Sequence, residues 1–154
     1  MANQFSGSFS EQIGGFAEAA LDAIRQTIQD VLIIVGETVI NLTPVDTGRA
    51  KANWQFSIGE PIHSSLDRFD KTGDDTIAEL ISRVNAMEPG QVAYLVNNLI
   101  YAPVLEYGLY PPPQKEPTKV TPAGYSKKAP AGMVRITLAQ FQRFVAEAAA
   151  RNRV

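Results

Sequence analysis

Few side chains in this sequence are of a type and spacing that do chemistry. The one histidine, His63, stands in the polar stretch "EPIHSSLDRFDKTG", residues 60–73. An imidazole there could serve as a general base, but no Gly-x-Ser-x-Gly elbow accompanies it, and it reads as a surface residue. Asp67 and Asp70 lack the alternating oxygen ligands and the glycine of a calcium loop. Asp74 and Asp75 could share a metal, yet adjacent carboxylates at a helix start more simply answer the positive end of the helix dipole. Cysteine is absent, which excludes disulfides, thiolate metal sites and a Cys nucleophile. A single histidine leaves no His cluster for zinc or iron. The glycines form neither GxGxxG nor GxxxxGK, so no nucleotide cradle is expected. No catalytic, cofactor-binding or metal-ligating residue is assigned, and no enzymatic activity is expected.

The remaining charges and rings point to contacts. Glu106 lies between Leu105 and Tyr107 in a turn that must pack closely; it is either an exposed carboxylate or a buried one paired with Arg49 or Arg135. Tyr101, Tyr107, Tyr110 and Tyr125 flank a lysine-rich stretch, as in proteins that stack single-stranded bases. Packing by Tyr101 and Tyr107 is the simpler account, and the proline content suits protein contact better. Net charge is −2, which predicts no bulk affinity for nucleic acid. Residues 108–154 carry eight Lys/Arg against two Asp/Glu, and residues 60–88 carry three against seven. That segregation is either a solvated accident or a basic end that meets an acidic middle on a neighbouring copy.

The elements that position these residues follow from periodicity. Residues 1–12, rich in Ser, Gly, Asn and Gln, read as a mobile arm without a secretory signal, so cytoplasmic synthesis is expected. Ile13, Ala17, Ala20, Ile24, Ile28, Val31, Val35, Val39 and Leu42 recur at steps of three and four, a long helix with Ser10 as its cap and Pro44 as its stop. The apolar run at 31–35 is far too short to span a membrane. A helix of this length outruns so small a body; either it bends at Gly36 or part of its apolar face awaits a partner, and the partner is favoured. In "NLTPVDTGRAKANWQFSIG", Asp46 is expected to cap a turn, Gly48 to permit tight backbone, and Trp54, Phe56 and Ile58 to line one face of a strand. Arg49 and Lys51 are then presented nearby.

A loop spans 60–73. A helix from Asp74 with Ile77, Leu80, Ile81 and Val84 on one face is expected to end at Pro89-Gly90. "QVAYLVNNLIYA" reads as a second strand, buried on both faces at its centre. "PVLEYG" is a short helical turn with Gly108 as its cap. Residues 109–131 carry Pro111, Pro112, Pro113, Lys115, Lys119, Lys127 and Lys128 and read as an extended inter-subunit arm. A last helix over 132–150 carries Val134, Leu138, Phe141, Val145 and Ala148 as its buried stripe. The expected fold is a single α+β domain over 1–154. Its body, 13–108, has a small antiparallel or mixed sheet flanked by a long N-terminal helix, a middle helix and a C-terminal helix.

Three stretches in order, "TPVDTGRAKANW", "NNLIYAPVLEYG" and "SKKAPAGMVRITLAQF", resemble the head–tail joining, or tail-completion, proteins of tailed bacteriophages. Asp46, Gly48, Arg49 and Trp54 match the first motif. Tyr101, Ala102, Glu106, Tyr107 and Gly108 match the second, and Ala129, Pro130, Gly132, Met133 and Arg135 the third. The insertion "LYPPPQKEPTKVTPAGY" departs from close relatives, which pass almost directly from the second motif to the third. The resemblance implies a non-enzymatic α+β subunit of a ring, commonly sixfold, in the virion neck. Its implied partners are copies of itself, the tail tube protein and head connector or stopper proteins; the inserted loop would be either a subunit-to-subunit arm or a contact with collar or sheath proteins. DNA would pass through the lumen without specific binding. A head-side connector or stopper is the nearest alternative, and a nucleic-acid-binding adaptor a more distant one.

Overall fold

The structure is a computed structural model and describes residues 7–107 and 132–154. Gly108, Ala129, Pro130 and the expected arm over 109–131 with its prolines and lysines lie outside the described residues, as do residues 1–6.

Helix α1, Phe9–Leu42, is 34 residues long, about 50 Å. It begins earlier than expected. Ser8, not Ser10, is its cap: Ser8 Oγ accepts from Glu11 N, and Glu11 Oε2 accepts from Ser8 N at 2.6 Å. Only Ser8 has a glutamate three residues on, which is what a reciprocal capping box requires. Residues 9–12 are therefore helix, and the helix runs unbroken through Gly14, Gly15 and Gly36. It stops at Thr43, whose extended backbone (φ −66°, ψ 125°) is the conformation a following proline imposes.

Helix α2, Arg49–Ala52, follows Gly48, whose φ of 91° is left-handed. Asp46 does not cap this turn. It is exposed, and Thr47 Oγ1 accepts from Arg49 N instead. The cap position falls on Gly48, which has no side chain to offer; its carbonyl accepts from Ala52 N and Asp70 N. Lys51 is not presented at the surface either: it is buried, with Nζ donating to Thr72 O.

Strand β1, Gln55–Ile58, pairs antiparallel with β2, Ala93–Val96, placing Phe56 opposite Leu95. The fold is thus α+β with a two-stranded antiparallel sheet. β2 is shorter than expected and half-buried throughout. Asn97 and Asn98 end it, spending their amides on Ala50 O and on Ile62 O and Ser64 O.

Helix α3, Asp74–Asn85, lies against α1. A Cβ at Gly36 would fall 2.3 Å from Leu80 Cδ2, so Gly36 is where α3 crosses α1 closely, not a weak point. Gln29 of α1 reaches the other end of α3 and donates to Val84, Asn85 and Met87 carbonyls. That cap ends α3 at Asn85, before the expected stop at Pro89-Gly90. Helix α4 is Ala102–Tyr107.

The expected C-terminal helix is two, α5 (Met133–Ala139) and α6 (Phe141–Arg151), divided at Gln140. Their buried residues are Met133, Thr137, Phe144 and Ala148. Of the expected stripe, Leu138, Phe141 and Val145 are exposed, at 61%, 44% and 37%. Thr137 lies on the buried side instead, its hydroxyl satisfied by donating to Met133 O.

Val39, Ile40, Trp54, Phe56, Leu80, Val84, Met87 and Met133 form the main core. No helix among the described residues is long and apolar enough to cross a membrane.

Trp54 fills that core and donates Nε1–H to Thr43 Oγ1 at 2.8 Å. Trp54→Ala should cost about 3–5 kcal/mol of unfolding free energy. Trp54→Phe should cost about 1–2 kcal/mol, since Thr43 keeps its bond to Val39 O. Urea unfolding followed by circular dichroism measures both; equal losses would mean that packing does not dominate at Trp54.

Candidate functional site

The described parts of the three motif stretches meet in one place. Glu106, near the end of α4, is buried, and its carboxylate faces the start of α5. Oε2 accepts from Val134 N at 2.8 Å, and Oε1 accepts from Arg135 N and Arg135 Nε, both at 3.1 Å. Arg135 Nη2 also donates to the Glu106 carbonyl at 2.6 Å. Backbone N–H groups at a helix start have no partner within the helix, and a carboxylate there satisfies them while meeting the positive end of the dipole. Of the two expected partners for Glu106, the structure selects Arg135. Arg49 instead approaches the exposed Asp67 at 3.9 Å.

Gly132 makes this approach possible. Its φ is 82°, and a Cβ there would lie 2.5 Å from both the carbonyl and Oε1 of Glu106. A side chain would be strained and would also push the carboxylate away. The Arg135 guanidinium lies 5.1 Å from the centre of the Tyr107 ring, within cation–π range. Motif two is thereby clasped to motif three.

Motif one joins through packing. Ala102 packs with Ala50 and Leu99 in a small cluster, and Leu105 touches both this cluster and the main core. Trp54 and Met133 share the main core. Tyr101 and Tyr107 are 39% and 50% exposed, more open than simple packing residues. Asp46 takes no part in the clasp.

A second polar centre, which the sequence reading placed in a plain loop, holds motif one from the other side. Asp70 is buried; its Oδ1 accepts from Gly73 N and Thr72 Oγ1, and its Oδ2 from Thr76 N and Thr76 Oγ1. Asp70 therefore caps α3, while Asp74 and Asp75 are exposed in its first turn. Spacing gave little signal for this: the N-cap position falls on Gly73, and Asp70 reaches the helix start from three residues before it. A Cβ at Gly48 would strike the Asp70 backbone at 2.6 Å, so the close approach of the two loops depends on glycine's missing side chain. Burial pushes the Asp70 carboxyl up. The N–H groups of Thr76 and Gly73 and the hydroxyls of Thr76 and Thr72 outweigh it, and hold the group below the ordinary Asp value. Glu79 is also held low, chiefly by its hydrogen bond from Arg68 at 2.7 Å, against an opposing push from burial.

Among the described residues, no group of three or more His, Cys, Asp or Glu side chains could hold a metal ion. His63 is exposed. The arrangement fixes the end of α4 against the start of α5. The exposed apolar surfaces it leaves are the first half of α1, with Phe9 at 78% and Phe16 at 66% exposed, and the outer side of α5–α6.

Glu106→Gln should destabilise the fold by about 2 kcal/mol, because a neutral amide presents a donor where the site has three. An unchanged denaturation midpoint would show that the carboxylate is not what holds α5. For Asp70, a depressed folded-state pKa means that its contribution is full above the ordinary Asp value of about 3.9 and is lost as pH falls through the lower folded value. Asp70→Asn should accordingly be less stable at neutral pH by about 1–3 kcal/mol. The gap between variant and parent should close on acidification below about pH 4. A gap that persists unchanged at low pH would contradict the role given to the ionised carboxylate.

Comparison with models of known families, with characterised proteins and with solved structures gives no match for this chain.

Proposed function

We propose that this chain is a structural protein of a tailed-phage virion, a ring-forming tail-completion or tail-terminator subunit in the neck. Its copies, six in the commonest form of such rings, close on one another. The ring stops growth of the tail tube and offers its other face to the head connector. No bond is made or broken; the work is assembly, and DNA passes the lumen without being gripped.

The observation that carries this reading is the convergence of the three family-like stretches. Residues far apart in sequence, Glu106, Gly132 and Arg135 with Trp54 and Met133 beneath them, form one clasp and one core. The exposed apolar half of α1 agrees with a subunit that is completed by assembly.

The test is a nonsense mutation in this gene within its phage, with the particles viewed by electron microscopy. Separate filled heads and overlong or unjoined tails are expected, restored to joined particles by the purified protein. Tails of normal length beside heads that lose their DNA would instead favour a head-side stopper. Fully joined, infectious particles lacking the protein would overturn the proposal.

A further inference from the structure

Phe9, Ile13, Phe16, Leu21, Ile24 and Ile28 are between 37% and 78% exposed and fall on one broad side of α1. At about 200 Å² for a large apolar side chain they leave roughly 700 Å² uncovered, above the largest patch of an ordinary monomer. The body of the same subunit comes up to the end of this patch, where Ile28 lies beside Met87 and Pro89. The last residue of α6 is Arg151, and Asn152 beyond it bonds Asp30, so α6 runs out beside the middle of α1. The buried positions of α1 begin only at Val31.

A second apolar face lies elsewhere on the subunit. Leu138, Phe141 and Val145 are 61%, 44% and 37% exposed on the outer side of α5–α6. We infer that the first half of α1 in one copy docks on the outer face of α5–α6 in the next copy, head to tail. The inference rests on the reading that copies assemble, and names the surfaces by which they do.

Charge selects this pairing over α1 against α1. Residues 9–28 hold Glu11, Glu18 and Asp22 against Arg25, a balance of −2; residues 133–154 hold four arginines against Glu147, and with Glu106 and Asp30, which pair with Arg135 and Arg151, this side keeps a balance of +1. Glu11, Glu18 and Asp22 lie on the back of the helix, away from the apolar side. They act across about one Debye length, through steering and sign, not through close pairs. Two copies of residues 9–28 set side by side would repel; this segment and α5–α6 attract. The two faces together offer on the order of 1,000 Å² of apolar surface, which is the apolar share of a standard interface of about 1,600 Å². Two different faces on one subunit make a heterologous contact, which can repeat around a ring, whereas α1 against α1 would end at a dimer.

Phe16→Glu and Val145→Glu test the pairing. Both side chains are exposed in the single subunit, so circular dichroism should match the parent, as should the thermal midpoint at concentrations where the parent is dissociated. Mass is then read by sedimentation and native mass spectrometry. The parent should form oligomers, and each variant alone should associate about a hundredfold more weakly or worse. An equimolar mixture should regain a one-to-one dimer and nothing larger, since it contains one intact α1 face and one intact α5–α6 face. Val145→Glu assembling like the parent, a mixture that stays monomeric, or a parent that is monomeric at every concentration would each overturn the inference. Oligomers through these faces from a protein absent from phage particles would leave the inference standing and the neck assignment refuted. Rings in the neck that tolerate both variants would do the reverse.

Discussion

A two-stranded sheet leaves most of the backbone around it without a ladder partner, and that shortage shapes the rest of the molecule. Buried N–H and C=O groups must find partners or cost free energy comparable to a lost hydrogen bond. Here buried side chains supply them. Asn53 brackets Leu66 with both ends of its amide, accepting from Leu66 N and donating to Leu66 O. Gln55 donates to Ser64 O, and Asn97 to Ala50 O. Asp70 takes the start of α3, Gln29 its end, and Glu106 the start of α5. Each bond is modest by itself, about 1 kcal/mol net. Leaving one of these buried groups unmatched is the costlier event, so the set holds or fails largely together.

This explains which features were legible in the sequence. Periodicity located α1, α3 and the alternation of Trp54, Phe56 and Ile58, because those elements satisfy their backbones locally or against one neighbour strand. It misplaced what depends on distant partners. The stretch 60–73 looked like an ordinary polar loop, yet it holds Asp70 and the carbonyls that Asn53, Gln55 and Lys51 seek. No spacing rule in a single sequence connects Gln29 to the end of α3. The turned stripe of the C-terminal helices has a local cause that hydropathy hides. Thr137 returns its hydroxyl to the carbonyl four residues back and is buried, as Thr43 does at the end of α1. Counted as polar, they shift the apparent face.

Glycine carries the same lesson in the motifs. Gly36, Gly48 and Gly132 differ in backbone, but at each a Cβ would strike a neighbour within 2.6 Å. Sequence offered three reasons for them: a helix weakness, a turn and a family match. Packing gives one, close approach. At Gly132 the neighbour is the carboxylate of Glu106, and the glycine is what lets an acidic side chain end directly on two successive N–H groups.

The free half of α1 poses a thermodynamic problem that its other half solves. An isolated segment of about twenty residues with two adjacent glycines and exposed apolar side chains would be at best marginally helical in water. Here it does not have to nucleate. The packed turns from Val31 onward, locked against α3 by Gly36 and capped by Thr43, supply the nucleus, and each further turn adds hydrogen bonds without paying again for initiation. The far end is closed by the Ser8–Glu11 box, which limits fraying. A helix held from both ends presents its apolar side already ordered. A surface that is ordered beforehand loses less freedom when it is covered, so more of the gain from burial appears as affinity. The same anchored half that stabilises the subunit thus prepares the exposed half for contact.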